Sequence, residues 1–353
     1  MFGILIAIVI FGLIIAIHEF GHFAVAKLCG VKVNKFAIGM GPRLIKFQKG
    51  ETEYSLRLFP IGGFCAMEGE DETSEDDRAF NNKPVWKRML VVVAGAAMNI
   101  ILGFVLLIVL NSMNGDIPSM KIASFHRVEN EQGEIVEYTS SSYECGLREG
   151  DVIHSLNGLR IFSATDLSYK LSSTNEETFD VEVIRDGKKI TIDDVKFEDT
   201  KNGGRIDFYL TGLDRTPLNV LNYSVKDTIS TARLIWISLL DLIKGRYGVN
   251  ELSGPVGIVS TIGEAASVGD TIKENVLSLI NLTIFITINV GVCNMLPIPA
   301  LDGGRFVFLL IEAIRRKPVK PEHEGYVHLA GMLLLFALMI FATYNDILRL
   351  IKG

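Results

Sequence analysis

Residues 2–28 read FGILIAIVIFGLIIAIHEFGHFAVAKL, an apolar run over 2–17 that leads directly into His18-Glu19-Phe20-Gly21-His22. The run holds no proline and approaches the roughly 20 residues that a helix needs to cross a bilayer. Ionisable side chains in such a segment cost a few kcal/mol or more unless they are paired, hydrated or bound to metal. Imidazoles four residues apart lie one above the other on a helix face and can share a metal, with Glu19 beside it as a base. The competing reading is that the three residues cap the helix at the membrane interface, with His18 hydrogen-bonded to another helix.

The rest of the chain fits the membrane setting of that helix. Of 353 residues, 48% are hydrophobic, and the mean hydropathy is +0.32, high for a soluble protein. Apolar residues concentrate at 2–17, 89–110, 279–298 and 326–344, giving four expected membrane spans. Lys27, Lys32 and Lys35 follow the first run rather than precede it, so the segment reads as retained and not as a cleaved leader. Together with Lys83, Lys87 and Arg88 they place residues 30–88 on the cytoplasmic side, with both termini outside. Arg315, Arg316, Lys317 and Lys320 agree with that topology, and Arg349 and Lys352 run against it. The net charge of -6 and the lack of a basic, aromatic-interleaved stretch speak against a nucleic-acid partner. Cys29, Cys65, Cys145 and Cys293 are scattered and offer neither a disulfide framework nor zinc-finger spacing.

Between these landmarks the chain divides into seven expected parts. Residues 1–31 form the first span, and residues 32–88 a β-rich, membrane-associated region whose alternation is broken by Gly39, Gly41-Pro42, Gly50 and Gly62-Gly63. The acidic run from Glu68 to Asp77 reads as a solvated loop without chemistry. Residues 89–112 form the second span, and 115–205 a β-rich domain outside the membrane with strands at 121–128, 134–138, 151–156, 180–184 and 188–196, the last two joined by an Asp186-Gly187 turn. Residues 206–275 form an amphipathic region whose stretch 222–244 suits an interfacial helix, with a partial span as the alternative. Residues 276–313 and 326–349 hold the third and fourth spans.

A metal held by two histidines needs a third protein ligand if one position is to stay open for water. His126 and His154 fall in the outer domain, and His323 and His328 have no companion motif. Asp302 is the better candidate, because it ends the sequence NMLPIPALD at 294–302, where Pro297 and Pro299, with Gly303 and Gly304 beyond, interrupt an apolar segment. Irregular backbone at that depth is tolerated only against protein or a water-filled cavity. The alternatives for Asp302 are an ion pair with Arg305 or a helix N-cap. Glu19 would take a proton from the attacking water and return it to a leaving amine, the metal supplying Lewis acidity. Asn294, less favourably Asn289 or Asn99, would donate to the developing oxyanion; interhelical hydrogen bonding is the plainer role for each. A substrate helix must be unwound before cleavage, and a strand edge within residues 36–66 would hold the extended chain; the competing reading of that region is a small cytoplasmic sheet packed on helix ends.

The chain resembles the bacterial site-2 protease family, intramembrane zinc metalloproteases that cleave membrane-anchored anti-sigma factors. The resemblance runs through HEFGH, Gly39-Met40-Gly41-Pro42, Pro60-Ile61-Gly62-Gly63, AFNNK at 79–83, SGPVGI at 253–258 and NMLPIPALDGGR at 294–305. It implies that His18, His22 and Asp302 bind Zn2+, that Glu19 is the catalytic acid and base, and that Asn294 assists. Residues 142–153, SYECGLREGDVI, followed by Leu156-Asn157-Gly158, resemble a bacterial PDZ domain, which in the family lies outside the cytoplasm and restricts substrate access. The implied whole is a polytopic α-helical membrane protein of the bacterial cell membrane. It has four transmembrane helices, a cytoplasmic-side β-hairpin region and one inserted extracytoplasmic PDZ domain. Its implied substrates are single-span membrane proteins already trimmed by another protease. Two departures from the family pattern are Ala96 after Gly95, where proline is usual, and Cys145 in place of alanine. The rival readings are a PDZ-bearing scaffold with a structural metal, an extramembrane metalloprotease using Glu312 as third ligand, and a zinc transporter.

Overall fold

The apolar segments of the sequence become long helices in the computed structural model, which describes residues 2–70, 74–113, 115–129, 135–173, 176–198, 206–245, 253–319 and 321–352. Helix α1 spans Phe2–Leu28. It is followed by strands β1 (Val33–Lys49) and β2 (Thr52–Met67) and by helix α2 (Val85–Met113). Among the described residues, four helices are long and apolar enough to cross a membrane, at Gly3–Leu28, Val85–Met113, Ile272–Asn294 and His323–Arg349. They correspond to the four apolar stretches of the sequence.

Two compact units divide the chain: residues 1–106 with 235–353, and residues 107–234. In the first, β1 and β2 form the expected hairpin, but as long strands with repeated register shifts rather than isolated short ones. Lys35–Ile38 consequently has partners both at Glu53–Leu56 and at Gly63–Ala66. Val31, Val33, Cys65, Met67 and Phe80 pack with Ala26 of α1 and Val91 and Val92 of α2, so the sheet root shares one core with both helices.

The acidic run after β2 is not merely solvated, contrary to its sequence reading. Glu68 accepts from Asn34 and Ser74, Asp76 pairs with Lys32, and Glu70 pairs with Arg305. These carboxylates tie the hairpin to other elements, which a charge run alone does not reveal.

In the second unit, β3 (Ile117–Phe125), β4 (Arg127–Glu129) and β5 (Ile135–Tyr138) precede the four-residue helix α3 (Ser141–Glu144). Then come β6 (Val152–Leu156), β7 (Leu159–Arg160), α4 (Ala164–Ser172), β8 (Thr178–Arg185), β9 (Lys188–Lys196) and β10 (Phe208–Leu213). The main sheet runs β10-β3-β6-β8-β9, with β7 against β6. The expected strand at 121–128 is split at His126, and residue 134 of the next lies outside the described residues. β8 and β9 are joined through Asp186 and Gly187, both with positive φ (51° and 75°), as a two-residue hairpin turn requires. Strand β10 lies beyond residue 205, where the sequence reading ends this domain, and pairs with β3. Phe125, Leu147, Ile153, Leu156, Val181 and Val195 are all at most 1% exposed and form the core.

Helix α5 (Pro217–Ile243) exposes Leu218, Leu221, Val225, Ile229, Trp236, Leu240 and Ile243 at helical spacing, an apolar stripe of the kind expected of an interfacial helix. Its other face carries Asp227, which accepts from the Ser163 and Thr165 hydroxyls, and Arg233, which pairs with the buried Asp166 of α4. Burial holds the Asp227 carboxyl above its ordinary value.

The first unit is completed by α6 (Pro255–Ala265), α7 (Ile272–Asn294), α8 (Asp302–Arg315) and α9 (Pro321–Lys352). The expected third span, 276–313, is thus two helices separated by Met295–Leu301, a wider break than partial unwinding. Pro297 and Pro299 cannot donate to a helical ladder, which is why α7 stops before them. Asp346 of α9 accepts from the amides of Gly254 and Gly257 and fixes the start of α6.

At the turn between β1 and β2, Glu51 is held by Arg78 and by Lys27, whose Nζ lies 2.7 Å away. The Arg78 hydrogen bond, then that of Lys27, lowers the Glu51 carboxyl to about 2. A depressed carboxylate adds stability above its unfolded value near 4.5, and loses it as pH falls toward about 2. The thermal-unfolding difference between wild type and Glu51→Gln in detergent is therefore expected to be largest above pH 4.5 and to narrow below it.

Candidate metal centre

The HEFGH sequence occupies the last three turns of α1, so His18 and His22 project from one face. Their rings are edge-on, with centroids 4.8 Å apart. Helix α8 begins at Asp302, and its Oδ2 stands 3.2 Å from His18 Nε2 and 3.4 Å from His22 Nε2. The two Nε2 atoms are themselves 3.2 Å apart. Among the described residues this is the one group of three potential ligands that meets in space. The three side chains are only 13%, 12% and 23% exposed.

Helix α2 passes directly behind the histidines, at a distance that no larger residue than glycine allows. A Cβ on Gly95 would fall 2.3 Å from His22 Nε2 and 2.7 Å from His18 Cε1. A Cβ on Gly21 of α1 would fall 2.4 Å from the Ala94 carbonyl oxygen. The same approach lets His22 Nδ1 donate to the Val91 carbonyl oxygen at 2.8 Å. That bond puts the ring proton on Nδ1 and leaves the Nε2 lone pair facing His18 and Asp302.

Asn99, fully buried one helical turn beyond Gly95, lies with its carboxamide 3.4 Å from His18 Nδ1. The near atom of that carboxamide is Nδ2; turned over, the carboxamide would present Oδ1 to accept the Nδ1 proton that a metal on Nε2 requires. This orientation also satisfies an oxygen that otherwise accepts nothing in the interior. Thr287 of α7 donates to the Asn99 carbonyl at 3.0 Å and secures this part of α2.

The donor set fits zinc. Tetrahedral ligands about 2.0–2.1 Å from the ion stand about 3.3 Å from one another, close to the three separations seen. Asp302 Oδ2 is buried and accepts no hydrogen bond, and two facing imidazole nitrogens are satisfied only by a shared proton or a metal.

Of the residues singled out from sequence, His18, His22 and Asp302 come together. The Glu19 carboxylate lies near enough to feel the charges of all three. Asn294 is the last residue of α7, at the edge of the break that leads to Asp302. Asn289 instead accepts from the Cys293 thiol. The expected ion-pair partner of Asp302, Arg305, pairs instead with Glu70, and the rival ligand Glu312 pairs with Arg88. Sequence reasoning passed over Val91 and Gly95, which act through a backbone oxygen and a missing side chain. His328, set aside from sequence as a metal ligand, accepts from the Ala300 amide at 2.9 Å. For Asn99 the structure shows the plainer of its two expected roles, an interhelical contact, here with His18; its position four residues after Gly95 on an apolar helix is the sequence sign of proximity.

A helical membrane body that brings a His-x-x-x-His pair and a distant aspartate to one point defines a membrane metallopeptidase. The profile of peptidase family M50 matches residues 6–338, and the chain belongs to that family. It is 32% identical to the regulator of sigma-W protease RasP of Bacillus subtilis, covering 97% of each chain. It is 31% identical to the zinc metalloprotease RasP of Bacillus licheniformis, over 97% of this chain and 98% of that one. A relative from Clostridium acetobutylicum is 36% identical over 98% of this chain and 97% of its own. The protein is a zinc metallopeptidase of the site-2 protease type.

Gly95→Ala forces either α2 or the imidazoles to move, an overpacking that costs about 1–3 kcal/mol. The variant is expected to melt several degrees below wild type and to retain less zinc after dialysis, whereas Gly115→Ala, with open space around it, changes neither.

Proposed function

We propose that His18, His22 and Asp302 bind the zinc and that Glu19 is the acid and base of peptide-bond hydrolysis within the bilayer. The observation that carries this reading is the buried Asp302 Oδ2, without a hydrogen bond, 3.2 Å and 3.4 Å from two imidazole nitrogens. Zinc held by these three residues supplies Lewis acidity toward water and a peptide carbonyl.

Glu19 follows His18 in the helix, and its carboxylate lies close enough to the cluster for all three of its residues to act on its charge. It takes a proton from the attacking water and returns it to the leaving amine. Asn294, at the end of α7, offers a carboxamide donor to the carbonyl oxygen as negative charge develops. Val91 and Asn99 hold the two rings in the tautomers that leave Nε2 available.

The substrate is the transmembrane segment of a single-span membrane protein shortened by an earlier cleavage, of the kind represented by anti-sigma factors or remnant signal peptides. Bacillus subtilis RasP is named a regulator of sigma-W protease, which favours the first class. A helical segment hides its peptide bonds in its own hydrogen bonds and must be drawn out as a strand. The β1–β2 hairpin supports this step, because Gly63 of β2 lies beside Glu19, with a built Cβ only 3.1 Å from Glu19 Cγ. An extended substrate paired along residues 36–66 would be delivered to the base.

Lys32, Lys35, Lys83, Lys87 and Arg88 favour a cytoplasmic position for the hairpin and the metal end of α1. The 115–205 domain, of PDZ type, then lies outside and restricts which segments reach the site. The protein works as a multi-pass component of a bacterial cell membrane, and the apolar stripe of α5 rests at the interface.

Purified protein with a trimmed single-span substrate in liposomes tests the assignment. Glu19→Gln is expected to keep its zinc and lose about 10²–10⁴-fold in cleavage rate, and Asp302→Asn to lose zinc. Zinc retained in Asp302→Asn, or unimpaired cleavage by Glu19→Gln, would overturn it.

A further inference from the structure

We infer that His328 is a positioning residue for the zinc site, holding the irregular segment Met295–Leu301 so that Asp302 is presented to His18 and His22. The inference rests on the reading of Asp302 as a zinc ligand. Its basis is a full account of where the amides of that segment go. Met295 donates to Val292, Leu296 to Cys293, Ile298 to Leu296 and Leu301 to Ile298, all local backbone bonds. Pro297 and Pro299 have no amide to donate. The remaining amide, that of Ala300, leaves the segment and donates to His328 Nδ1 of α9 at 2.9 Å.

Ala300 is also the segment's strained point. Its φ of 78° lies in the left-handed region that an alanine adopts only when its surroundings impose it. Two contacts from α9 impose it, one turn apart. His328 takes the amide, and Gly331 lets the helix approach so closely that a Cβ there would sit 2.4 Å from the Pro299 carbonyl oxygen. The Phe308 ring of α8 lies 5.7 Å from the imidazole, and Glu324 Oε1 stands 3.6 Å from its Nε2. Since Nδ1 accepts, the ring proton resides on Nε2, facing Glu324.

Ala300 is two residues ahead of Asp302, and α8 starts at Asp302 itself. Release of the Ala300 amide lets the left-handed turn relax and swings the first turn of α8, which alters the direction of the Asp302 carboxylate. His328 touches neither metal nor substrate in this scheme, so its effect is read in how tightly the metal is held.

Asparagine and glutamine separate this role from simple packing. Asn Oδ1 occupies nearly the place of His Nδ1 and preserves the acceptor, while Gln places its oxygen near Nε2 and leucine has none. Zinc affinity is measured by chelator competition on the full chain in detergent, with Asp302→Asn as reference. His328→Leu and His328→Gln are expected to weaken zinc by about tenfold or more and His328→Asn by no more than about threefold, the range for residues that orient a ligand. Melting of the chelator-treated proteins is expected to be the same for His328→Asn and His328→Gln. Equal zinc loss in His328→Asn and His328→Gln, or wild-type zinc affinity in His328→Leu, overturns the inference. If the leucine variant does not accumulate, the asparagine–glutamine pair decides. Zinc retained by Asp302→Asn would instead refute the ligand assignment, independently of His328.

Discussion

The closeness of α1 and α2 is the constraint on which the rest of the site depends. Side chains ordinarily hold packed helices about 8–10 Å apart, and here Gly21 and Gly95 remove the side chains that would intervene. Only at that separation does the Val91 carbonyl reach His22 Nδ1 and the Asn99 carboxamide reach His18 Nδ1. Two missing side chains therefore bring within reach the groups that set the tautomer of both rings. Without the second helix, a pair of histidines on one face would be two rotatable groups with four nitrogens to choose from.

A second constraint follows from the interior being poor in water. Every polar atom near the cluster must find a protein partner or a metal. The break between α7 and α8 meets this demand with short local turns and one long-range acceptor. Glu70 and Arg305 neutralise each other near the start of α8, and Arg88 and Glu312 near its end. The carboxylates and guanidiniums that look like alternative ligands or partners in the sequence are thereby removed from competition, and Asp302 is left with an unengaged oxygen.

Much of this was legible in the chain itself, because it depends on local pattern. Four apolar runs specify four long helices, the spacing of His18 and His22 specifies a shared face, and Pro297 and Pro299 specify a break. The Asp186-Gly187 turn likewise fixes β8 against β9. What escaped reading acts at long range or without a side-chain signature. β10 pairs with β3 across about ninety residues, beyond the expected end of the domain. Gly95 matters for an absent Cβ, Val91 for its carbonyl oxygen and His328 for an amide it accepts from. The acidic run looked like solvated surface because the cations that pair with it come from α8 and from the chain around Lys32. Residue types predict chemistry, but the partner of a charge is fixed only by the fold.

The anchoring of α8 has a consequence for how the ion is held. This helix has only fourteen residues, too few to hold its place by length alone, yet it is pinned near its start by Arg305 to Glu70 and near its end by Glu312 to Arg88. A ligand that arrives already immobilised loses little conformational freedom when it binds, so more of the interaction remains as affinity. On the ligand assignment proposed above, the two ion pairs lie outside the coordination sphere and act as its preorganising frame. In thermodynamic terms, part of the entropy cost of gathering His18, His22 and Asp302 would then be met during folding, before any metal arrives.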